Sequence, residues 1–158
     1  MPVPRAELER RMNRFVEACR RSGMKLTHQR TEIFREVAGS DEHPDAETVY
    51  QRVCKRVTGI SRDTVYRTLS SMEAQGLIRR TDVLGGPARY DANTERHHHF
   101  VCTRCGLMKD FCSAALDDMP IPKAVEAFGR IEAAQVQVRG VCSSCASRKP
   151  KARRRSPA

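Results

Sequence analysis

The stretch HHHFVCTRCGLMKD, residues 97–110, holds three histidines, two cysteines and an aspartate, all of them metal-ligand types. They are of two chemical kinds. Cys102-x-x-Cys105 recurs later in the chain as Cys142-x-x-Cys145. Four thiolates close a tetrahedral zinc shell and leave no position open for chemistry, so these cysteines read as a structural site tethering two distant strands of a small domain. A redox dithiol or a disulfide pair is the alternative for such spacing. The chain starts MPVPRAELERRMNRF, charged and helix-like, without the apolar stretch of a secretory signal. That favours a cytoplasmic setting, and there metal binding over disulfides.

The histidines form the other kind. If residues 97–102 are extended, alternate side chains face opposite ways. His97 and His99 then share one face, while His98 and Cys102 share the other. A His-x-His pair on one face is a two-nitrogen clamp. Asp91, Asp110 and His43 are candidates to complete it. Taken singly, each has a plainer reading as a solvated histidine or a turn or cap aspartate. Together they make a nitrogen and oxygen site that suits Fe(II) or Mn(II) and can bind Zn(II).

The elements that would position these groups follow from the hydrophobic pattern. Leu8, Met12, Phe15, Val16 and Cys19 recur at helical spacing, with Gly23 as a stop. Thr27 caps a second helix with Ile33, Phe34 and Val37 inward. Asp45 caps a third with Val49, Tyr50, Val53, Cys54 and Val57 inward. Ser61 caps a fourth, where Ile60 and Val65 are placed as a hydrophobic staple and Val65, Leu69 and Met72 form the inner stripe. Two amphipathic helices around a short Gly-containing turn outline a helix-turn-helix. LIRRTDVL and ARYDA, joined around Gly85-Gly86-Pro87, read as its hairpin wing. The outer face of the fourth helix carries Arg62, Thr64, Arg67, Thr68 and Ser71, which donate to phosphates and base edges. A three-helix protein-interaction domain would leave that face unexplained.

Residues 97–145 read as a second unit. Short strands flank the first CxxC, a weak helix lies near PKAVEAFGR, and AAQVQVRGV alternates as a half-buried strand. So small a piece should not stand alone and is expected to pair with a second copy through that sheet. The expected fold class is α+β: a winged helix-turn-helix over 1–91, a zinc-containing α/β dimerisation and metal-binding domain over 92–146, and a basic disordered tail over 147–158.

Charge supports this division. The formal net charge is +10. Of this, residues 1–96 contribute +4, residues 97–145 nothing, and the tail ASRKPKARRRSPA the remaining +6. Overall basicity is therefore weak evidence for DNA binding, and the motif has to carry it. No apolar run is long enough to span a membrane.

Read together, GMKLTHQR, HPDAETVY, SRDTVYRTLSSMEAQGLI, ARYD, HHHFVCTRCG and GVCSSC resemble the ferric-uptake-regulator (Fur) family, in order and spacing, from about residue 5 to 146. The resemblance implies a repressor that binds palindromic operator DNA as a homodimer when a regulatory divalent metal is present. It also puts Lys25, Tyr66 and Arg67 at DNA-contacting positions, beside Arg62 and Thr64. Within the family, the peroxide-responsive branch (PerR) uses His, Asp, His, His and Asp, which are matched here by His43, Asp91, His97, His99 and Asp110. Iron-uptake members typically carry glutamate at the two aspartate positions. On the other side, Arg67 is typical of iron-uptake regulators.

The resulting expectation is a repressor, not an enzyme, that senses hydrogen peroxide. Zn(II) is structural, Fe(II) or Mn(II) (or Zn(II)) is regulatory, and oxidation of His43 or His97 releases the DNA. An iron- or zinc-responsive uptake regulator is the alternative. A non-haem iron enzyme is the third reading, but no part of the chain is left over to line a substrate pocket. Cys19 and Cys54 are expected in the core, and Cys112 has no assigned role.

Overall fold

The structure, a computed structural model, describes residues 3–82, 86–131 and 133–147. The chain divides into two compact units, Met1–His97 and His98–Ala158. The basic tail beyond Ser147 and the tip of the expected wing around Gly85 lie outside the described residues.

The first unit opens with four helices: α1 (Arg5–Ser22), α2 (His28–Ala38), α3 (Ala46–Val53) and α4 (Arg62–Ala74). The starts of α2, α3 and α4 are set by side chains that satisfy otherwise orphaned amides, while α1 follows Pro4 without a side-chain cap. Thr27 accepts from the amide of Arg30, Asp45 from that of Thr48 and Ser61 from that of Thr64. Gly23 ends α1 in the left-handed region at φ 70°, a conformation that costs glycine little. Behind the helices, β1 (Arg79–Thr81) pairs antiparallel with β2 (Arg89–Asp91). This is a winged helix, with α3 and α4 as the helix-turn-helix.

The apolar stripes meet in one core. Phe15, Ile33, Val37, Val49, Val53, Val65, Leu69, Met72 and Ile78 are essentially sealed from solvent, and the rings of Phe15 and Phe34 stack at 4.4 Å. Ile60 and Val65 are both buried, as a staple requires. Arg11 is buried among these apolar groups. Its guanidinium donates to the Ala38 carbonyl at the end of α2 and to Glu7 one turn back. A cation on the last carbonyls of a helix satisfies them and complements the helix dipole.

Three expectations are corrected. The third helix ends at Val53 rather than running to Val57, so Cys54 falls on the closing turn and is exposed, not core. Thr68 is buried at 8% exposure and Ser71 is half-buried, so neither belongs to the open face of α4. The buried stripe on α4 is wider than Val65, Leu69 and Met72 alone, because both α2 and α3 pack against the helix.

The second unit is a three-stranded sheet. β3 (His98–Cys102) lies centrally, antiparallel to β4 (Met108–Phe111) and parallel to β5 (Gln137–Gly140). Single helical turns, α5 (Ala114–Asp117) and α6 (Lys123–Glu126), connect β4 to β5, and α7 (Ser143–Ser147) follows. The expected strand over 133–141 is only its last part. Val138 within it is 43% exposed, and Phe128 nearby is 89% exposed. Gly140 leaves room for the Phe100 ring, which a side-chain carbon there would meet at 3.1 Å. Among the described residues of this unit, only Val101, Cys102, Met108 and Cys142 are buried apolar side chains. So few buried apolar side chains supply little of the burial that ordinarily offsets the ordering of a chain. Something besides burial must hold this unit together. Among the described residues, no helix is long and apolar enough to cross a membrane.

Candidate metal centres and nucleic-acid interface

The CxxC pairs come together because β3 ends in the first and β5 leads into the second. The parallel register sets Cys102 beside Gly140, and the Thr103 amide donates to the Gly140 carbonyl at 2.7 Å. One sulfur from each of Cys102, Cys105, Cys142 and Cys145 lies within 4.8 Å of all the others. Zinc–sulfur bonds of about 2.3 Å in a tetrahedron place sulfurs about 3.8 Å apart. Cys105 Sγ and Cys142 Sγ are 3.7 Å apart, which fits that figure and lies far outside disulfide bonding. The disulfide alternative therefore fails, and all four thiols are free.

The thiols also differ electrostatically. The Cys142 amide donates to Cys102 Sγ at 3.3 Å. That bond, against burial and helped by the amides of Cys105 and Arg104, lowers the Cys102 pKa to about 6. Cys145 is pushed up to about 12, first by hydrogen bonding with Cys105 and Cys142. Four sulfurs this close cannot all ionise on their own. A divalent cation is the group that lets them.

The nitrogen and oxygen candidates fall into two sets, one in each unit. In the first unit, the loop before α3 is stitched to β2. The Tyr90 amide donates to the Pro44 carbonyl at 3.0 Å, and Arg89 Nη1 donates to the His43 carbonyl at 3.2 Å. These bonds hold His43 at φ 51°, among the described residues the one non-glycine with positive φ. A strained conformation of this kind persists only where its surroundings impose it. The result brings His43 Nε2 to 3.5 Å and His97 Nε2 to 2.9 Å from the same oxygen, Asp91 Oδ2. The three side chains are all buried.

Neighbouring groups orient this set for a cation. Asp91 Oδ1 accepts from the Asn93 amide at 2.7 Å, which leaves Oδ2 toward the imidazoles. His97 Nδ1 lies 2.8 Å from the Glu95 carbonyl, which can only accept, so Nδ1 carries the proton. In neutral His97, Nε2 then presents a lone pair to a carboxylate oxygen. Two lone pairs at that distance repel unless a proton or a metal ion lies between them. The N–H to carbonyl bond on the far nitrogen is also what orients a ligating imidazole. The residues fit a divalent metal.

In the second unit, the β3–β4 register sets His99 opposite Asp110, with His99 Nε2 at 3.4 Å from Asp110 Oδ1. His98 faces elsewhere, as alternation predicts. Its Nδ1 accepts from the Val136 amide at 3.2 Å, and its Nε2 is 3.3 Å from Asp117. Sequence reasoning missed the positioning roles of Arg89, Glu95 and Asn93. Only Asn93 had a local signal, since Asp-x-Asn places an aspartate to accept from the amide two residues on.

The DNA-contact candidates all belong to the first unit. Lys25, Arg62, Tyr66 and Arg67 are exposed. Thr64 is half-buried, with its hydroxyl 2.9 Å from that of Ser61. Arg67 is expected to matter for sequence preference, and the tail for general affinity. Arg67→Ala should cost about 1–3 kcal/mol on a specific operator. Deleting residues 148–158 should weaken binding to all duplexes alike and flatten its salt dependence. Titrations at several salt concentrations would check both, and the opposite pattern would move recognition off α4.

Fold and site together define a winged-helix protein with a four-cysteine metal centre of the zinc type. The family model described as ferric uptake regulator family matches residues 21–138, and the chain belongs to that family of transcription regulators. A peroxide-responsive repressor PerR of Staphylococcus epidermidis is 29% identical over 144 residues, covering 89% of this chain and 95% of its own. A zinc-bound manganese uptake regulator is 32% identical with a TM-score of 0.65, covering 86% of this chain and 98% of its own. The Campylobacter jejuni peroxide stress regulator is 27% identical with a TM-score of 0.66, covering 82% and 98% respectively.

Proposed function

We propose that this chain is a metal-dependent transcriptional repressor that binds palindromic operator DNA as a homodimer and releases it when hydrogen peroxide reaches a regulatory Fe(II) site. The ligand set is His43, Asp91 and His97 from the first unit and His99 and Asp110 from the second. The convergence of two imidazoles on the Asp91 carboxylate, at the end of the wing, carries this reading. Losing the metal would free these side chains, and because half-site spacing on DNA is geometric, a small change in the reading heads suffices to release it.

Fe(II) held there would supply electrons to peroxide close to the ligand imidazoles. By the family resemblance, His43 or His97 would be the ring that takes up the oxygen, and an oxidised ring is a poorer ligand. Aspartate at both carboxylate positions and the likeness to the Staphylococcus repressor support sensing of peroxide over sensing of metal supply. Phe128, Val138 and Val141 of the second unit leave exposed apolar surface that a second copy would cover. The four cysteines would hold structural Zn(II).

An uptake regulator on the same scaffold is the second reading, favoured by the likeness to the manganese uptake regulator. Operator binding by the Fe(II), Mn(II) and Zn(II) forms, before and after a peroxide pulse, separates the two. The Fe(II) form should lose operator binding and gain one oxygen on the peptide carrying His43 or His97. The Mn(II) form should survive the same dose. Unmodified histidines with binding intact in the Fe(II) form would sink the peroxide reading and leave the uptake regulator.

A further inference from the structure

Arg62 is the first residue of α4, on the exposed face of the helix-turn-helix, and its guanidinium is held on two sides by residues of α3. Its Nε and Nη2 donate to the two oxygens of Glu47 at 3.0 and 3.1 Å. Its central carbon lies 4.5 Å from the centroid of the Tyr50 ring. Glu47 and Tyr50 sit three positions apart, so one face of α3 presents carboxylate and ring together. The carboxylate fixes one edge of the planar fork and the ring fixes one face. Among the described residues, the hydrogen bonds of Arg62 run from Nε and Nη2 and leave Nη1 out.

A long exposed arginine ordinarily loses rotamer freedom when it reads a base, and that loss weakens discrimination. Here the loss is taken in folding. Arg67 gives the contrast within the same helix. Among the described residues its ion pair is with Asp63, at 3.4 Å, and both side chains are more than 70% exposed, at 81% and 74%. Resting on the reading that α4 binds operator DNA, we infer that Glu47 and Tyr50 are positioning residues that preorganise Arg62 to read guanine with its Nη1–Nη2 edge. Guanine is the base whose O6 and N7 accept two parallel N–H donors from such a fork. N-terminal residues of a recognition helix are also the ones that approach base edges. Glu47 would serve here as a buttress, although its charge by itself repels the DNA backbone.

The repulsion makes the test sharp, because positioning and repulsion move two readouts in opposite directions. The full chain loaded with Mn(II) would be used to select from a randomised duplex library. Affinities would then be measured for the selected duplex and for versions with each guanine replaced. The unmutated protein should prefer guanine at one symmetric pair of positions by roughly tenfold or more. Arg62→Ala should erase that preference alone. Glu47→Gln should reduce it by roughly threefold or more, while binding to guanine-replaced duplexes holds or tightens. Glu47→Asp and Tyr50→Phe keep the carboxylate or the ring and should restore most of the preference, whereas Tyr50→Leu should not. Glu47 is a partly exposed surface residue, and thermal midpoints would confirm that the variants remain folded.

Glu47→Gln that tightens every duplex with the guanine preference intact would make Glu47 a competitor for Arg62 and overturn the inference. So would Arg62→Ala that keeps the full preference while Arg67→Ala loses it, an outcome that leaves DNA reading by α4 standing. An unmutated protein that binds all duplexes alike would remove the DNA reading itself, and the inference with it.

Discussion

Cys142→Ser is expected to leave a chain that cannot hold zinc through dialysis against a chelator and whose second unit loses its ordered sheet. Metal-binding free energies in small zinc domains are about 10–16 kcal/mol, and there the binding is the folding free energy. The second unit is in that position. Its buried apolar side chains among the described residues are Val101, Cys102, Met108 and Cys142, and two of these are the ligands themselves. The substitution also removes a sulfur from the segment that follows β5, so the β3–β5 pairing loses its anchor. The helical core of the first unit, which runs from Phe15 to Ala92 in sequence, should be unaffected. Metal content and hydrogen exchange would be measured together. A variant that keeps full zinc content and native exchange protection over 98–147 would remove the four-cysteine site from this account.

Asp91→Asn should abolish the response of DNA binding to regulatory metal while leaving zinc content unchanged. Asn is nearly isosteric and can still accept the Asn93 amide, so the turn after β2 survives. What is lost is the negative charge at the one oxygen that both His43 and His97 approach. Removing an outer partner of a metal ligand typically costs 10–100-fold in affinity. Loss of a charged ligand should cost at least the upper end of that range, roughly a hundredfold. Mn(II) titration of operator binding would measure it directly. A wild-type titration curve for the Asn variant would mean that Asp91 is no ligand, and the imidazoles at 2.9 and 3.5 Å from it would need another explanation.

Much of this was legible in one dimension, for reasons that are local. A CxxC pair carries its chemistry in its spacing, so the four thiolates could be read without knowing how the strands pair. Caps were legible because Thr27, Asp45 and Ser61 act on amides three residues away. Strand alternation separated His97 and His99 from His98, since side-chain direction has period two. The aspartates could be proposed as ligands from their place beside these signals.

What no local pattern contains is the set of contacts between residues far apart in the chain. Arg89 stitches the loop before α3 to the wing from forty-six positions away, and that bond holds His43 strained and aimed at Asp91. Thr68 and Cys54 were misplaced for the same reason. Thr68 is buried on a helix that packs against both α2 and α3, and Cys54 is the exposed residue that closes the last turn of α3. The clasp of Glu47 and Tyr50 on Arg62 joins two helices across the turn between them, fifteen residues apart at the carboxylate. Residue types fix what each group can bond, but the distance and angle between groups come from how the helices pack. Those are the quantities on which ligation and base reading depend.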